Sequence, residues 1–389
     1  MKKIFFVAIA ATLLAAGCQK TEVLNQVNPV DGTSMTFAPN MGKLTKAATA
    51  EGAGETNLSE QDFRLWAYYV AADPNRGAAA NDVYDQMANI IISDNSGDWK
   101  ATTTHFWPGK GKYLKFFAVS ADSDTYGGAA EGPTATGGKI AVDPVTDIMT
   151  ITGFTVNEEA PDTDLMIADY VEAKQKENDG ESNTVDFTFR HALTKVQFCF
   201  RNTETNMPVY VQQMFVEGVN TVADLTVDKS KGTGVAAMAW GTPEGPVIFA
   251  GDYTTTADDG TFTTPVQAEN YATAWEPKGV TIASNGYMKL TNEYKPYTTW
   301  LVIPQNVYVA EQTDLKVTIA YVIESQTETR QFVSTFSLGS AEVVPAWGIN
   351  QYVKYNINLT PNIIGFDATV EDWYETSAGS DNGNVDIND

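Results

Sequence analysis

Apolar and polar residues alternate along most of the chain from residue 62 onward, which is the pattern of half-buried β-strands. In the first such segment Phe63, Leu65, Ala67 and Tyr69 lie on one face. Clusters of Gly, Asp, Asn and Pro separate further alternating segments. The pattern predicts strands at 113–119, 148–156, 185–189, 209–215, 246–250, 300–303, 315–323, 331–337, 352–359 and 363–370.

Helical periodicity is not sustained in any long segment, and only residues 82–88 could form one or two helical turns. Several short strands in each half predict an all-β fold with two tandem β-sandwich domains. The polar stretch from residue 173 to 184 indicates a linker, so we expect an N-terminal domain at 47–183 and a C-terminal domain at 184–373. The acidic tail 374–389 shows no strand pattern.

A short alternating segment, Met35 to Ala38, stands apart from the others between two loose polar regions. Met35 and Phe37 share its apolar face, and Pro39 ends it. Because an isolated strand is not stable, we expect this one to pair with a strand further along the chain.

The first residues have the form of an export signal. Lys2 and Lys3 precede an apolar stretch, residues 4–14, that is too short to span a bilayer. Small residues then lead to Gly17 and Cys18, and this segment resembles the bacterial lipobox, although its leucine stands one place further upstream than usual. The resemblance implies a signal peptide at 1–17, cleavage between Gly17 and Cys18, and lipid on Cys18 that tethers the protein to a membrane.

The net charge excludes some classes of binding partner, and the number of cysteines excludes a disulfide if Cys18 carries lipid. The formal net charge of −24 makes nucleic acids and anionic headgroups poor partners. The chain has two cysteines, so lipid on Cys18 would leave Cys199 without a disulfide partner. Cys199 lies in an apolar strand segment with no sign of an activating base, which indicates a passive thiol.

No residue pattern indicates an enzyme, a cofactor or a metal. His105 and His191 are the only histidines, too few for a histidine-rich metal site or a convincing catalytic triad, and we expect both to be structural. Gly111-Lys112 lacks the following Ser or Thr of a phosphate loop. The run 94–98 lacks the glutamate that would complete a calcium loop.

Four short segments follow one another in an order and spacing that cover nearly the whole chain after the signal. They are Leu44-Thr45-Lys46-Ala47; Phe106-Trp107-Pro108 before a strand; Asp164 to Ala168 with Val185 to Val196; and Tyr355 to Leu359 followed by Ile364 to Trp373. Together these segments resemble the fimbrillin-like pilus subunits of Bacteroides and its relatives, with Lys46 for the family's arginine and Thr194 for its usual serine.

The resemblance implies transthyretin-like sandwich domains and assembly at the outer surface of the cell. Proteolysis between Lys46 and Ala47 would remove segment 18–46, including Met35 and Phe37, and would open an apolar groove. A C-terminal strand of another subunit would then fill the groove. Either of two strands could be donated, through Val353, Tyr355, Ile357 and Leu359 or through Ile364, Phe366, Ala368 and Val370.

Two other hypotheses stay open from the sequence. The chain could be a non-polymerising anchor or tip protein of the same fold that keeps its first strand. It could instead be a cell-surface lipoprotein that binds glycans, with tryptophan side chains as stacking faces. The candidates for that role are Trp66, Trp99, Trp240, Trp275 and Trp300.

Overall fold

The structure is a computed structural model. It describes residues 33–40, 62–95, 98–120, 139–156, 164–176, 183–204, 206–251, 266–267, 287–308, 315–325, 329–339, 344–360 and 364–373. The predicted lipidation and cleavage residues Gly17, Cys18, Lys46 and Ala47 lie outside the described residues, as does the tail 374–389.

The described residues form an all-β structure, as the sequence predicts. Two short 3₁₀ helices, Lys229–Lys231 and Gly234–Ala237, are the helical segments of these ranges. The strands are β1 (Thr36–Asn40), β2 (Phe63–Tyr69), β3 (Ile90–Asn95), β4 (Asp98–Ala101), β5 (Tyr113–Ser120), β6 (Lys139–Asp143), β7 (Ile148–Thr155), β8 (Met166–Ala168), β9 (Val171–Lys174), β10 (Thr184–His191), β11 (Thr194–Arg201), β12 (Val209–Asp228), β13 (Met238–Trp240), β14 (Glu244–Ala250), β15 (Val266–Gln267), β16 (Met288–Lys289), β17 (Lys295–Val302), β18 (Gln305–Asn306), β19 (Lys316–Glu324), β20 (Thr329–Ser337), β21 (Ala346–Trp347), β22 (Gln351–Leu359) and β23 (Ile364–Asp372).

The first sheet closes on itself. Its strands follow the order β2-β3-β4-β1-β10-β8-β5, and β5 pairs again with β2, while β9 pairs with β5 along the same edge as β8. Seven strands therefore form a closed ring where the sequence predicted a sandwich of two separate sheets. The difference arises because β5 pairs along its length with β2 and also reaches β8 and β9 on its other edge.

The ring encloses its own apolar core. On β2 the side chains of Phe63 and Leu65 point into this core, together with Phe116 from β5 and Phe187 from β10. The alternate residues of β2, among them Trp66, face outward and belong to a second buried cluster. The side chains on both faces of β2 and β5 are thus buried. Each of these strands therefore contains few charged residues.

The second cluster also holds the rest of the chain together. A nine-stranded sheet contains β12, a strand of 20 residues that pairs with β7, β13, β14, β16 and β19. A four-stranded sheet has the order β17-β11-β22-β23. Phe198 and Trp300 of the four-stranded sheet share one buried cluster with Val216 and Ile319 of the nine-stranded sheet.

Residue 183, the expected end of the N-terminal domain, does not separate the strands of one sheet from those of another. β10, which begins at Thr184, completes the ring by pairing with β1 and β8. In the other direction, β6 and β7 precede that residue yet join the nine-stranded sheet through β12. The expected linker from residue 173 to 184 is also partly strand, because β9 ends at Lys174 and β10 starts at Thr184.

The helical turns expected at 82–88 do not form. Asp85 and Gln86 have φ of 44° and 59°, which is left-handed backbone that no right-handed helix contains. The segment is instead a loop fastened to β2, since the Tyr84 N–H donates to the Ala67 carbonyl and the Ala67 N–H donates to the Met87 carbonyl. In the ranges described, no helix has the length and apolar content needed to span a membrane.

Cys199 is fully buried on β11, and this burial raises the pKa of its thiol to about 11. In a chain carrying Cys18→Ser, we expect iodoacetamide at mildly alkaline pH to modify Cys199 at least about a hundredfold more slowly in the native state than in denaturant, because little thiolate is present and access is blocked. Mass spectrometry of the alkylated protein measures both rates. Equal rates would show that β11 is open to solvent.

Candidate functional site

The first strand, β1, occupies a slot in the ring between β4 and β10. It runs parallel to β10 over five residue pairs, from Thr36 opposite Thr184 to Asn40 opposite Thr188. On its other edge it meets β4 at one pair, Phe37 opposite Trp99. The prediction that this strand pairs with a strand further along the chain is therefore confirmed.

Apolar burial holds β1 in the slot. Met35 and Phe37 are each 4% exposed. The Phe37 ring lies 6.3 Å from the Phe187 ring in a stacked arrangement and 6.5 Å from the Phe63 ring in an edge-to-face arrangement. Burial of one Phe side chain contributes about 1.5–3 kcal/mol, and aromatic pairs add to it. The side chain of Phe37 is thus the main anchor of β1.

Polar contacts fix the register of the segment. The hydroxyls of Thr36 and Thr184 share a hydrogen bond of 2.8 Å. Just before β1, the Met35 N–H donates to the His105 carbonyl at 2.8 Å, and the Thr33 carbonyl accepts from the Trp107 N–H at 3.0 Å. β1 itself is short, and Pro39 has no N–H to give to a neighbouring strand.

The wall of the slot includes residues that the alternation did not reveal. Trp107 donates its indole N–H to the Asn183 carbonyl at 3.1 Å, which joins the loop before β5 to the start of β10. Trp99 packs its ring 5.7 Å from Phe63. Trp99 is the only apolar residue of β4 apart from a terminal alanine, so four residues with so little pattern gave no strand signal.

Both histidines are held by an aspartate. His105 Nδ1 lies 3.0 Å from Asp85 Oδ2, and His191 Nδ1 lies 2.7 Å from Asp164 Oδ2. Each ring therefore has a structural hydrogen bond, as expected of these histidines. Within the described ranges, no group of three or more His, Cys, Asp or Glu side chains is placed to hold a metal ion.

The two candidate donor strands occupy different places in their sheet. β22 is an interior strand, parallel to β11 on one side and antiparallel to β23 on the other. Val353, Tyr355, Ile357 and Leu359 of β22 are all fully buried. The Tyr355 ring stacks 5.0 Å from that of Phe198, and its hydroxyl accepts from the Trp347 indole at 2.9 Å. Extraction of β22 would dismantle this core.

Among the described strands, β23 lies at the edge of its sheet and pairs with β22 alone. Its nine residues pair with β22, from Ile364 opposite Leu359 to Asp372 opposite Gln351, with Phe366 opposite Ile357. Ala368 is buried, Ile364 is half-buried, and Val370 is 38% exposed. β23 could therefore leave its sheet by breaking one row of hydrogen bonds, whereas β22 would break two.

Several tryptophans proposed as glycan platforms are not available for stacking. Trp66 and Trp300 are 6% and 1% exposed. Trp240 packs on Phe154 and donates its indole N–H to the Ala192 carbonyl at 2.8 Å. Trp275 lies outside the described residues.

A shallow cleft beside the ring has Tyr170 on its wall. The Lys229 ammonium lies 3.5 Å from the centre of that ring, and Phe117 packs edge to face against it. The Tyr170 hydroxyl donates to Glu172 at 2.7 Å, and burial together with this bond raises the pKa of the phenol. The Tyr170 ring is thus engaged by the protein and does not offer a free stacking face.

The anchoring role of Phe37 can be tested in the uncut protein. We expect Phe37→Ala to lower the free energy of unfolding by about 3 kcal/mol, since it leaves a cavity beside the rings of Phe63 and Phe187. Denaturant titration followed by tryptophan fluorescence measures this. Val145→Ala, at a position 74% exposed, is the matched control and should change the value by less than about 0.5 kcal/mol. Equal effects of the two substitutions would contradict the assignment.

Comparisons with known proteins agree with this architecture. A solved structure of a fimbrial protein from Bacteroides vulgatus superposes with a TM-score of 0.52 at 16% identity, covering 87% of this chain and 99% of that one, so the two share a fold. The fimbrium subunit Fim1C of Phocaeicola vulgatus is 25% identical over 189 residues, which is 48% of each protein. The chain thus spans about half the length of this curated relative.

The model of the fimbrillin-like family matches residues 45–373, which include the ring strands from β2 onward and both candidate donor strands. That match covers well over half of the chain. The chain therefore belongs to the fimbrillin-like family.

Proposed function

We propose that this chain is a structural subunit of a surface fimbria and that subunits assemble by exchange of strands. One observation carries the proposal. The ring is closed by β1, a strand of five residues that belongs to a segment with a candidate cleavage point just beyond it. Membership of the fimbrillin-like family supports the same function.

The first step is removal of β1. Cleavage between Lys46 and Ala47 would free segment 18–46, which carries Met35 and Phe37 out of the slot. The edges of β4 and β10 would then face each other across an apolar floor that includes Phe63 and Phe187. Such a slot accepts another extended segment, whose main chain pairs with the edges and whose alternate side chains fill the floor.

The second step is donation of a strand, and the sheet order favours β23. This edge strand gives up one row of hydrogen bonds on leaving, and the buried core residues of β22 stay in place. Its alternating residues Ile364, Phe366, Ala368 and Val370 supply apolar side chains for the floor. A contact between two different surfaces of identical subunits is heterologous, and its repetition grows a filament when the rotation between subunits does not close a ring.

The remaining features of the proposal concern export and domain organisation. Lipid on Cys18 would hold the precursor in the outer membrane at the cell surface, and other fimbrillin subunits would be its partners. We propose two domains, as the sequence suggested: the ring with β9, and a second domain that contains the strands from β11 onward and also β6 and β7, which join it through β12. The shared core of the nine-stranded and four-stranded sheets supports a sandwich for the second domain.

A non-polymerising anchor or tip subunit is the second candidate. The residue before the cleavage point is lysine where the family has arginine, and a protease that prefers arginine would leave this chain uncut. β1 would then stay in the slot, the ring would remain closed, and the subunit could donate a strand without accepting one.

Substitution at the cleavage point separates these roles. We expect Lys46→Ala to abolish polymerisation of the protein on its native host, because β1 stays in the slot, while Lys43→Ala leaves polymerisation unchanged. The measurement is the ladder of oligomers on gels after mild detergent treatment, together with the mature N-terminus by mass spectrometry. Normal filaments from the Lys46→Ala variant would refute cleavage at this position. A wild-type chain that stays uncut would favour the anchor or tip role.

The choice of donor strand can be tested at Val370, which is already partly exposed before assembly. We expect Val370→Glu to change the free energy of unfolding of the unassembled subunit by no more than about 0.5 kcal/mol. It should nevertheless reduce polymerisation at least about tenfold, because a carboxylate would enter an apolar slot. Val145→Glu, at an exposed position away from β23, is the matched control. Unimpaired polymerisation of Val370→Glu would exclude the apolar face of β23 as the donor.

A further inference from the structure

The C-terminal edge strand ends in a buried aromatic stack. Trp373 directly follows β23, is 4% exposed, and lies face to face with the imidazole of His191, with ring centres 3.5 Å apart and an interplanar angle of 8°. The Lys195 ammonium lies 5.7 Å from the centre of the Trp373 ring. A tryptophan packed this closely fixes the end of a strand that is otherwise held along one edge.

The imidazole in this stack is itself fixed. His191 Nδ1 and Asp164 Oδ2 are 2.7 Å apart, and the two side chains are 5% and 2% exposed. Asp164 stands just before β8, and β8 pairs with β10 so that Met166 is opposite His191. The carboxylate therefore sets the plane of the imidazole on which Trp373 lies.

The main chain ties the same point to the four-stranded sheet. The Trp373 N–H donates to the Asn350 carbonyl at 2.7 Å, and the Asn350 N–H donates to the Leu193 carbonyl at 3.1 Å. Leu193 lies between β10 and β11. The end of β23 is thus fastened to the segment that connects the ring to the rest of the chain.

Two buried polar atoms of the stack are unsatisfied. Trp373 Nε1 and Asp164 Oδ1 are buried and have no hydrogen-bond partner in the described structure. A buried polar atom without a partner lowers the stability of the state that buries it. The stack is therefore closely packed but less stable than it would be if both atoms had hydrogen-bond partners. Such limited stability suits a contact that has to open.

The strand that carries His191 also forms a wall of the slot. Residues 184–188 of β10 pair with β1, and His191 is three residues further along the same strand, about 10 Å away. When β1 leaves, residues 184–188 of β10 lose their pairing with β1, while residues 189–191 keep theirs with β8. A loosened β10 would hold His191 less firmly beneath Trp373.

We propose that Trp373, His191 and Asp164 form a clasp that retains β23 in the unassembled subunit, and that departure of β1 weakens this clasp through β10. The proposal rests on the proposed function, since it assumes that β23 is the donated strand. Its consequence is an order of events: a subunit opens its own slot first and becomes ready to donate its strand as a result.

Hydrogen exchange of the unassembled full chain, read by mass spectrometry, tests the clasp. We expect Trp373→Ala to accelerate exchange of the β23 amides at least about tenfold and to leave those of β2 and β5 unchanged. Trp373→Phe, which keeps an aromatic ring over His191, should restore most of the protection. Trp240→Ala removes another tryptophan, one bonded to Ala192 beside the clasp, and should leave β23 protected. Unchanged exchange of β23 in Trp373→Ala, or equal acceleration in Trp240→Ala, would overturn the clasp.

The link to the slot has its own test in the same assay. Phe37→Ala loosens β1 without touching β23, and we expect it to accelerate exchange of the β23 amides at least about threefold. In the Trp373→Ala background the same substitution should add nothing, because the clasp is already open. Protection of β23 that is unchanged by Phe37→Ala, or that falls equally in both backgrounds, would disprove the coupling.

The two assays separate this proposal from the proposed function. Exchange is measured on the unassembled protein, and polymerisation is measured after cleavage. A clasp that behaves as expected in a chain that never polymerises would disprove polymerisation by strand exchange and leave the clasp intact. Normal polymerisation with no effect of Trp373→Ala on β23 would disprove the clasp alone.

Discussion

The packing of Phe37 between Phe63 and Phe187 is the interaction on which the rest of the N-terminal structure depends. It seats β1, and β1 closes the ring. A closed sheet has no free edges, whereas the same sheet without β1 has two, which face each other across buried aromatic rings. The ring requires a strand in this slot, but little in the slot specifies which chain supplies it, because most of the contact is apolar and main-chain.

The pattern of apolar residues located strands well wherever a strand packs against a large core. β2 and β5 were predicted nearly to their ends, and so were β7, β19 and β22. No pattern in the sequence indicated that the first sheet closes into a ring. This closure depends on pairing between β2 and β5 and on a parallel pairing between Thr36 and Thr184, which are 148 residues apart. Local patterns carry no information on contacts of that separation, so the sequence indicated two flat layers.

The sequence likewise revealed some residues of the candidate site and not others. Met35 and Phe37 stood out because an apolar pair in a polar region has few other uses, and the structure places both in the slot. Trp99 was not recognised as part of the slot wall, because β4 is too short to show a period. β22 and β23 have equally regular patterns, so the sequence left both as donors. Only the sheet order, with β22 inside and β23 at the edge, distinguishes them.

The length of β12 has a mechanical consequence. Fully extended, 20 residues cover about 65 Å, and β12 pairs with β16 and β19 near its start and with β7 and β13 near its end. Tension along this strand would load its rows of hydrogen bonds together in shear, so they would not peel apart one after another. A force applied along β12 would therefore be borne by one continuous strand that connects the two ends of the nine-stranded sheet.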